Sequence, residues 1–148
     1  MSEYSAKIEI ILKSKPANVW AVSPTDSVYE ALELMADKGV GALPVMEGTQ
    51  LVGIFSERDY ARKVVLAGRS SRETKVSQIM SFPVLTVTPG HSIGECMEIV
   101  TDKRIRHLPV LENDQVVGMI SIGDLVNWVI TDQRATIENL HAYITGQR

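Results

Sequence analysis

Cysteine is nearly absent from this chain. Its 148 residues hold only Cys96, so no internal disulfide can form, as suits a reducing compartment. Aromatic residues make up 5%, too few to furnish a base-stacking platform, and the formal net charge of −3 offers no basic excess. Nucleic-acid binding therefore ranks low. No apolar run approaches the ~18 residues that a membrane helix needs. The opening MSEYSAKIEIILKSKP mixes Glu3 and Glu9 with its lysines and does not read as a secretory signal. These absences lead us to expect a soluble, cytoplasmic protein with no membrane or nucleic-acid partner. Catalytic signatures are missing as well. His91, His107 and His141 lack metal-ligand spacing, and there is no phosphate loop or dinucleotide glycine motif. Gly118-Met-Ile-Ser121-Ile-Gly123 is one residue too long for a nucleophile elbow. No nucleophile–base pair or paired carboxylates can be assembled, so no catalytic residue is assigned, no metal is expected, and an enzyme ranks last.

What the chain does have is a repeat. Ser23–Val65 lies over Thr88–Ile130 at a constant offset of 65, without a gap, and sixteen of the 43 positions are identical. They include Pro24/Pro89, Glu30/Glu95, Pro44/Pro109, Gly53/Gly118, Ser56/Ser121 and Asp59/Asp124. Upstream the offset becomes 68, where Lys7–Leu12 matches Lys75–Met80, so the first repeat carries three extra residues within Lys13–Val19. Hydrophobic residues at 45% and charged residues at 22% are ordinary for a globular domain.

Each unit reads as β-α-β-β-α. A short strand (Val19–Val22, Val84–Val87) leads into a proline turn. Ser27 and Ser92, each three residues before Glu30 and Glu95, form capping boxes that open a helix. Apolar residues then follow at helical spacing, Val28, Ala31, Leu32 and Met35 in one unit and Ile93, Cys96, Met97 and Val100 in the other. On this face Cys96 is a small core residue. Gly39 stops the first of these helices. Two apolar runs across a four-residue polar turn (Ala42–Met46 with Leu51–Phe55; Leu108–Leu111 with Val116–Ile120) predict a hairpin. A second helix closes the unit, ending near Gly68 in the first repeat. One unit alone has too small a core, so the two are expected to pack together. The fold class is α+β, with repeats at 7–67 and 75–130, a polar linker Gly68–Lys75, and flanking helices at Ile8–Lys13 and Ile130–Thr145 (the C-terminal segment being 131–148).

Two constellations carry chemistry. Ser56-Glu-Arg58-Asp59 and Ser121-Ile-Gly-Asp124 each end a strand and open a helix, where free N–H groups and the helix dipole favour an anion. An aspartate there can accept ribose hydroxyls and a serine can donate to phosphate. The same spacing is also a helix capping box, and the two roles are compatible. Arg104-Ile105-Arg106-His107 precedes the Leu108-Pro109-Val110 strand, whereas the first repeat has Gly39-Val40-Gly41-Ala42 there. Arg106 and His107 suit charge-assisted contact with an anion, while Arg104 can simply complement a helix C-terminus. Arg58 is a further phosphate candidate. Lys63, Arg69 and Arg72 read as a solvated face.

A tandem unit of this order, with Leu-Pro-Val and then Val-Gly-x-x-Ser-x-x-Asp in both halves, resembles the CBS domain pair, named after cystathionine β-synthase. The resemblance runs from about Lys7 to about Val129 and is nearest to stand-alone CBS-pair proteins. It implies two repeats packed as one pseudo-two-fold module, with clefts between them for AMP, ADP, ATP or NAD, and S-adenosylmethionine last in that order. No prosthetic cofactor is implied. It also implies which residues meet. One site combines Ser56, Arg58 and Asp59 with Leu85, Ile105, Arg106 and His107. The other combines Ser121 and Asp124 with Trp20, Val40, Gly41 and Ala42. On this reading the first site is rich in phosphate donors and the second poor, so the sites are unequal. The resemblance further implies homodimers formed through helical faces, here including Leu66 and Trp128, and a separate partner protein that reads the ligand signal. The competing reading is a protein-interaction module whose cleft is vestigial.

Overall fold

The computed structural model describes residues 4–16 and 18–145, excepting the side chains at 135, 136, 139, 140 and 142–145. The elements run α1 (Glu9–Lys13), α2 (Val28–Lys38), β1 (Ala42–Glu47), β2 (Gln50–Ser56), α3 (Glu57–Tyr60) with a π-helical continuation (Ala61–Val65), α4 (Val76–Ile79), α5 (Ile93–Lys103), β3 (His107–Glu112), β4 (Gln115–Ser121) and α6 (Ile122–Thr145). The fold is α+β, as expected. The two units repeat one another down to register. Ala42 faces Ser56 and His107 faces Ser121, and each hairpin bulges at the same place, between Val45 and Met46 and between Val110 and Leu111.

The caps form as the spacing predicts. Ser27 and Ser92 each accept from the N–H three residues on, and Glu30 and Glu95 each return the bond. Helix α2 ends at Gly39 with φ 66°, a left-handed conformation that suits glycine. At the matching place α5 ends on Arg104 with φ 53°, where a side chain must bear the strain.

Three expectations need correction. The first strands are single-residue bridges, Val22 beside Val45 and Val87 beside Val110, both parallel. Each such segment runs within two residues into Pro24 or Pro89, which has no N–H with which to extend a ladder. The flanking helix at Ile130–Thr145 is not separate, because α6 runs unbroken from Ile122. Arg72, expected on a solvated face, lies 3.8 Å over the Tyr29 ring, in a linker where Thr74 is buried and accepts from Val28 N–H at 2.8 Å and Ser71 accepts from Tyr29 N–H.

The cores divide differently from the sequence repeats. Val76 and Ile79, at the start of the second repeat, are buried with Val22, Val28, Leu43, Val45 and Phe55 of the first. Reciprocally, Ile8 and Ile11 are buried with Val87, Ile93, Cys96, Leu108 and Ile120 of the second. Main-chain bonds fix the exchange, with Ile8 N–H donating to His91 O at 2.9 Å and Val76 N–H to Asp26 O at 2.9 Å. Glycine in each β2-type strand makes room for it. A Cβ on Gly53 would lie 2.5 Å from Met80 Sδ, and one on Gly118 would lie 2.5 Å from Leu12 Cδ2. Leu12 and Met80 are the residues that the offset of 68 pairs. Cys96 is fully buried, and burial pushes its thiol pKa up to about 11.

Candidate functional site

The hairpins place their open ends side by side. Glu57 N–H donates to Gly41 O at 3.1 Å, and Ile122 N–H donates to Arg106 O at 2.8 Å, so each helix start is tied to the entry of its own unit's first strand. Two clefts open along this junction. The larger, about 880 Å³, is lined by all seven residues expected in the first site, together with Glu57, Arg62, Lys63 and Ser81. The smaller, about 430 Å³, is lined by all six expected in the second, together with Lys15 and Lys38. Gly41, His107 and Ser121 border both.

In the first cleft Asp59 is the buried anchor, 7% exposed. Its Oδ2 accepts from the Ser56 N–H and hydroxyl, both at 3.0 Å, and Ser56 Oγ accepts the Asp59 N–H at 3.1 Å. This is the capping box. The other oxygen, Oδ1, accepts from Ser81 Oγ at 2.9 Å and pairs with Lys63 Nζ at 3.2 Å. Arg58 reaches across the units, donating from Nη1 to Arg104 O at 2.7 Å. Lys63 corrects the sequence reading: instead of standing on a solvated face it turns to the cleft and also donates to Ile79 O. The π-helical widening Ala61–Val65 begins just before it.

The second cleft repeats the cap, with Ser121 N–H donating to Asp124 Oδ2 at 2.9 Å and Asp124 N–H to Ser121 Oγ at 3.0 Å. Here the expectation of a cleft poor in phosphate donors fails. Lys15, in the Lys13–Val19 stretch that holds the three extra residues, pairs with Asp124 Oδ2 at 2.7 Å and donates to Met119 O at 2.8 Å. Lys38 lies 4.1 Å over the Trp20 ring at the same cleft. Burial alone would raise the Asp124 pKa, but the Lys15 hydrogen bond, the Ser121 N–H and the Lys15 charge together bring it below the usual value. For His107, half-buried on the shared wall, desolvation favours the neutral ring and lowers its pKa against the opposing pull of Glu57 and Asp124. Gly41 leaves this wall tight: a Cβ there would come within 2.8 Å of Glu57 Oε1, so the Glu57 carboxylate would have to swing aside, and within 3.4 Å of His107 Nε2.

A family model described as the CBS domain matches residues 11–66 and again residues 76–131. The chain belongs to the CBS domain family. This CBS pair is 42% identical over 151 residues to the mitochondrial CBS domain-containing protein CBSX3 of Arabidopsis thaliana, covering 96% of this chain and 73% of that one. Among solved structures it resembles a protein with CBS domains from Burkholderia ambifaria, with a TM-score of 0.83 and 50% identity over 86% of this chain and 96% of the other. A CBS-domain protein from Agrobacterium tumefaciens follows at 0.78 and 34%, covering 82% and 98%. The tandem CBS-pair architecture is thereby established for this chain. Among the described residues, no helix is long and apolar enough to cross a membrane, and no group of three His, Cys, Asp or Glu could hold a metal ion.

Sequence reasoning missed Lys15, Lys38, Lys63 and Ser81 as cleft residues. Only Lys15 left a trace, by lying in the Lys13–Val19 stretch that sets the two repeats apart. Trp128, expected at a dimer face, is half-buried and meets Tyr4 edge-to-face at 6.2 Å. Leu66 is 81% exposed, in keeping with its assignment to a surface.

Proposed function

We propose that this CBS pair is a non-catalytic sensor that binds an adenine nucleotide (AMP, ADP, ATP or NAD) in the larger cleft and passes the signal to a partner protein. One observation carries the reading. The Ser56–Asp59 helix start of the first unit and Arg106 with His107 of the second line one cleft of about 880 Å³, within the ~300–1,000 Å³ usual for small-molecule sites. The chemistry is complementary at both ends of a nucleotide. Asp59 can accept ribose hydroxyls, while Arg58, Arg62, Lys63 and Arg106 supply cations for phosphate. Homodimerisation belongs to the same reading, supported by Leu66, Val65, Val126 and Ile130 on exposed helical surface. So does a cytoplasmic location, although the Arabidopsis relative is a mitochondrial protein.

The vestigial-cleft alternative has its own support, since both Asp59 oxygens already have partners within the chain. A thermal-shift panel with AMP, ADP, ATP, NAD, NADH and S-adenosylmethionine, repeated on Asp59→Ala, separates the two. At a hundredfold excess over Kd a ligand adds about 2.7 kcal/mol, or roughly 5–10 °C for a chain of this size. A shift with one or two ligands that shrinks in Asp59→Ala is expected. No shift with any of them at millimolar concentration rejects the sensor and leaves the interaction module.

A further inference from the structure

The two capping aspartates differ in how much of each carboxylate is left open. A carboxylate offers about four lone-pair sites to hydrogen-bond donors. At Asp59 they are taken: Oδ2 accepts from the Ser56 N–H and hydroxyl, and Oδ1 accepts from Ser81 Oγ and pairs with Lys63 Nζ. A diol arriving there must displace Ser81 or Lys63. At Asp124 the Ser121 N–H and Lys15 Nζ both meet Oδ2, and Oδ1 has no partner among the described residues. The Asp124 side chain is also the more open, 24% exposed against 9% for Asp59, and it lines the smaller cleft. Two neighbouring hydroxyls can therefore donate to Oδ1 without breaking any bond that the chain makes.

The rest of the smaller cleft suits the same class of ligand. Its volume of about 430 Å³ falls in the usual range for small-molecule sites, and Trp20, 36% exposed, brings a flat ring against which a base can stack. Both lysines that line it are engaged within the chain. Lys15 holds Asp124 and Met119 O, while Lys38 pairs with Asp37 and lies 4.1 Å over the Trp20 ring. In the larger cleft Arg62 and Arg106 have no partner among the described residues, so a phosphate finds open cations there. One cleft thus offers cations but a filled carboxylate, and the other an open carboxylate but engaged cations. We propose that the smaller cleft is a nucleoside site, taking a base and vicinal diol without phosphate, with the diol on Asp124 Oδ1 and the base beside Trp20. This goes beyond the nucleotide reading of the larger cleft and does not depend on it.

The chain has two tryptophans, Trp20 and Trp128, so Trp128→Phe in the full chain makes indole emission a reporter of this cleft alone. Adenosine titrated into that variant should change the emission saturably. 2′-Deoxyadenosine, short of one hydroxyl to a charged acceptor, should bind about tenfold more weakly, and AMP should also be weaker than adenosine. Asp124→Asn should weaken adenosine about tenfold, whereas Asp59→Asn, in the other cleft, should leave it within about twofold. Calorimetry of adenosine against 2′-deoxyadenosine on the unaltered chain reads the same difference should a variant fold poorly. The nucleoside site is overturned by no saturable response to millimolar adenosine, by equal binding of 2′-deoxyadenosine, or by AMP acting on Trp20 at lower concentration than adenosine. A larger loss from Asp59→Asn than from Asp124→Asn overturns it too. If AMP gives a thermal shift that Asp59→Ala reduces while adenosine does nothing, the nucleoside site is refuted and the sensor stands. Adenosine binding at Trp20 with no response to any nucleotide has the opposite meaning.

Discussion

Ile8 stands near the start of the chain, where truncations and substitutions are usually tolerated. The structure says otherwise here. Ile8 is 0% exposed and packs among Val87, Ile93, Leu108 and Ile120, residues far along the sequence. Ile8→Ala should therefore behave as a central core deletion and cost about 2–5 kcal/mol. For a chain of this size that lowers Tm by roughly 5–15 °C. Ile10→Ala, two residues on but 49% exposed, should cost no more than about 0.5 kcal/mol. The location of the damage is the sharper test. Hydrogen exchange on Ile8→Ala should show protection lost first in α5 and the β3–β4 hairpin, while β1–β2 of its own sequence repeat holds longer. A loss below about 1 kcal/mol, or earlier exposure of β1–β2, would refute the exchanged-core arrangement.

Two further predictions concern packing and charge. Gly53→Ala should be the more damaging of the two matched glycine substitutions, by about 1–3 kcal/mol in chemical denaturation. Its Cβ would crowd Met80 at Sδ, Cγ and Cβ within 3.2 Å, whereas Gly118→Ala meets only the rotatable tip of Leu12 closely; equal costs would contradict this. The lowered pKa of His107 means that the unfolded chain takes up the proton first as pH falls. Its contribution is therefore full above the ordinary value of 6.5, declines below it, and is gone once pH passes the lowered native pKa. The Tm drop between pH 7.5 and 5.5 should shrink in His107→Gln, and an undiminished drop would assign the pH dependence elsewhere.

The two-unit architecture was legible because it is written twice. Sixteen ungapped identities fix the period, and capping serines, Gly39 and the apolar alternation fix the elements within it. The thirteen cleft positions were legible through the resemblance and through the Ser-x-x-Asp and Arg-x-Arg-His spacing, and each lines the cleft expected of it. What escaped was whatever depends on the path of the chain between elements. Which core receives Ile8 or Val76 is decided by how two units dock, and the apolar pattern of either segment would suit both cores. Lys63 read as surface charge, and Lys15 drew no reading, because nothing local distinguishes a lysine pointing at water from one reaching a carboxylate brought near by distant residues. The first strands were overread because apolar β-branched residues mark extended chain equally well whether one residue or four find partners.

Gly41, His107 and Ser121 form a party wall between two rooms. Tenants on either side of one imidazole and one glycine hydroxyl-flanked corner have no private boundary. Whatever free energy one tenant's presence adds to or takes from the other must be returned in equal measure. Were both clefts filled, a displacement of that wall by one occupant would change the room left for the other, so the two affinities would be set jointly and not one by one.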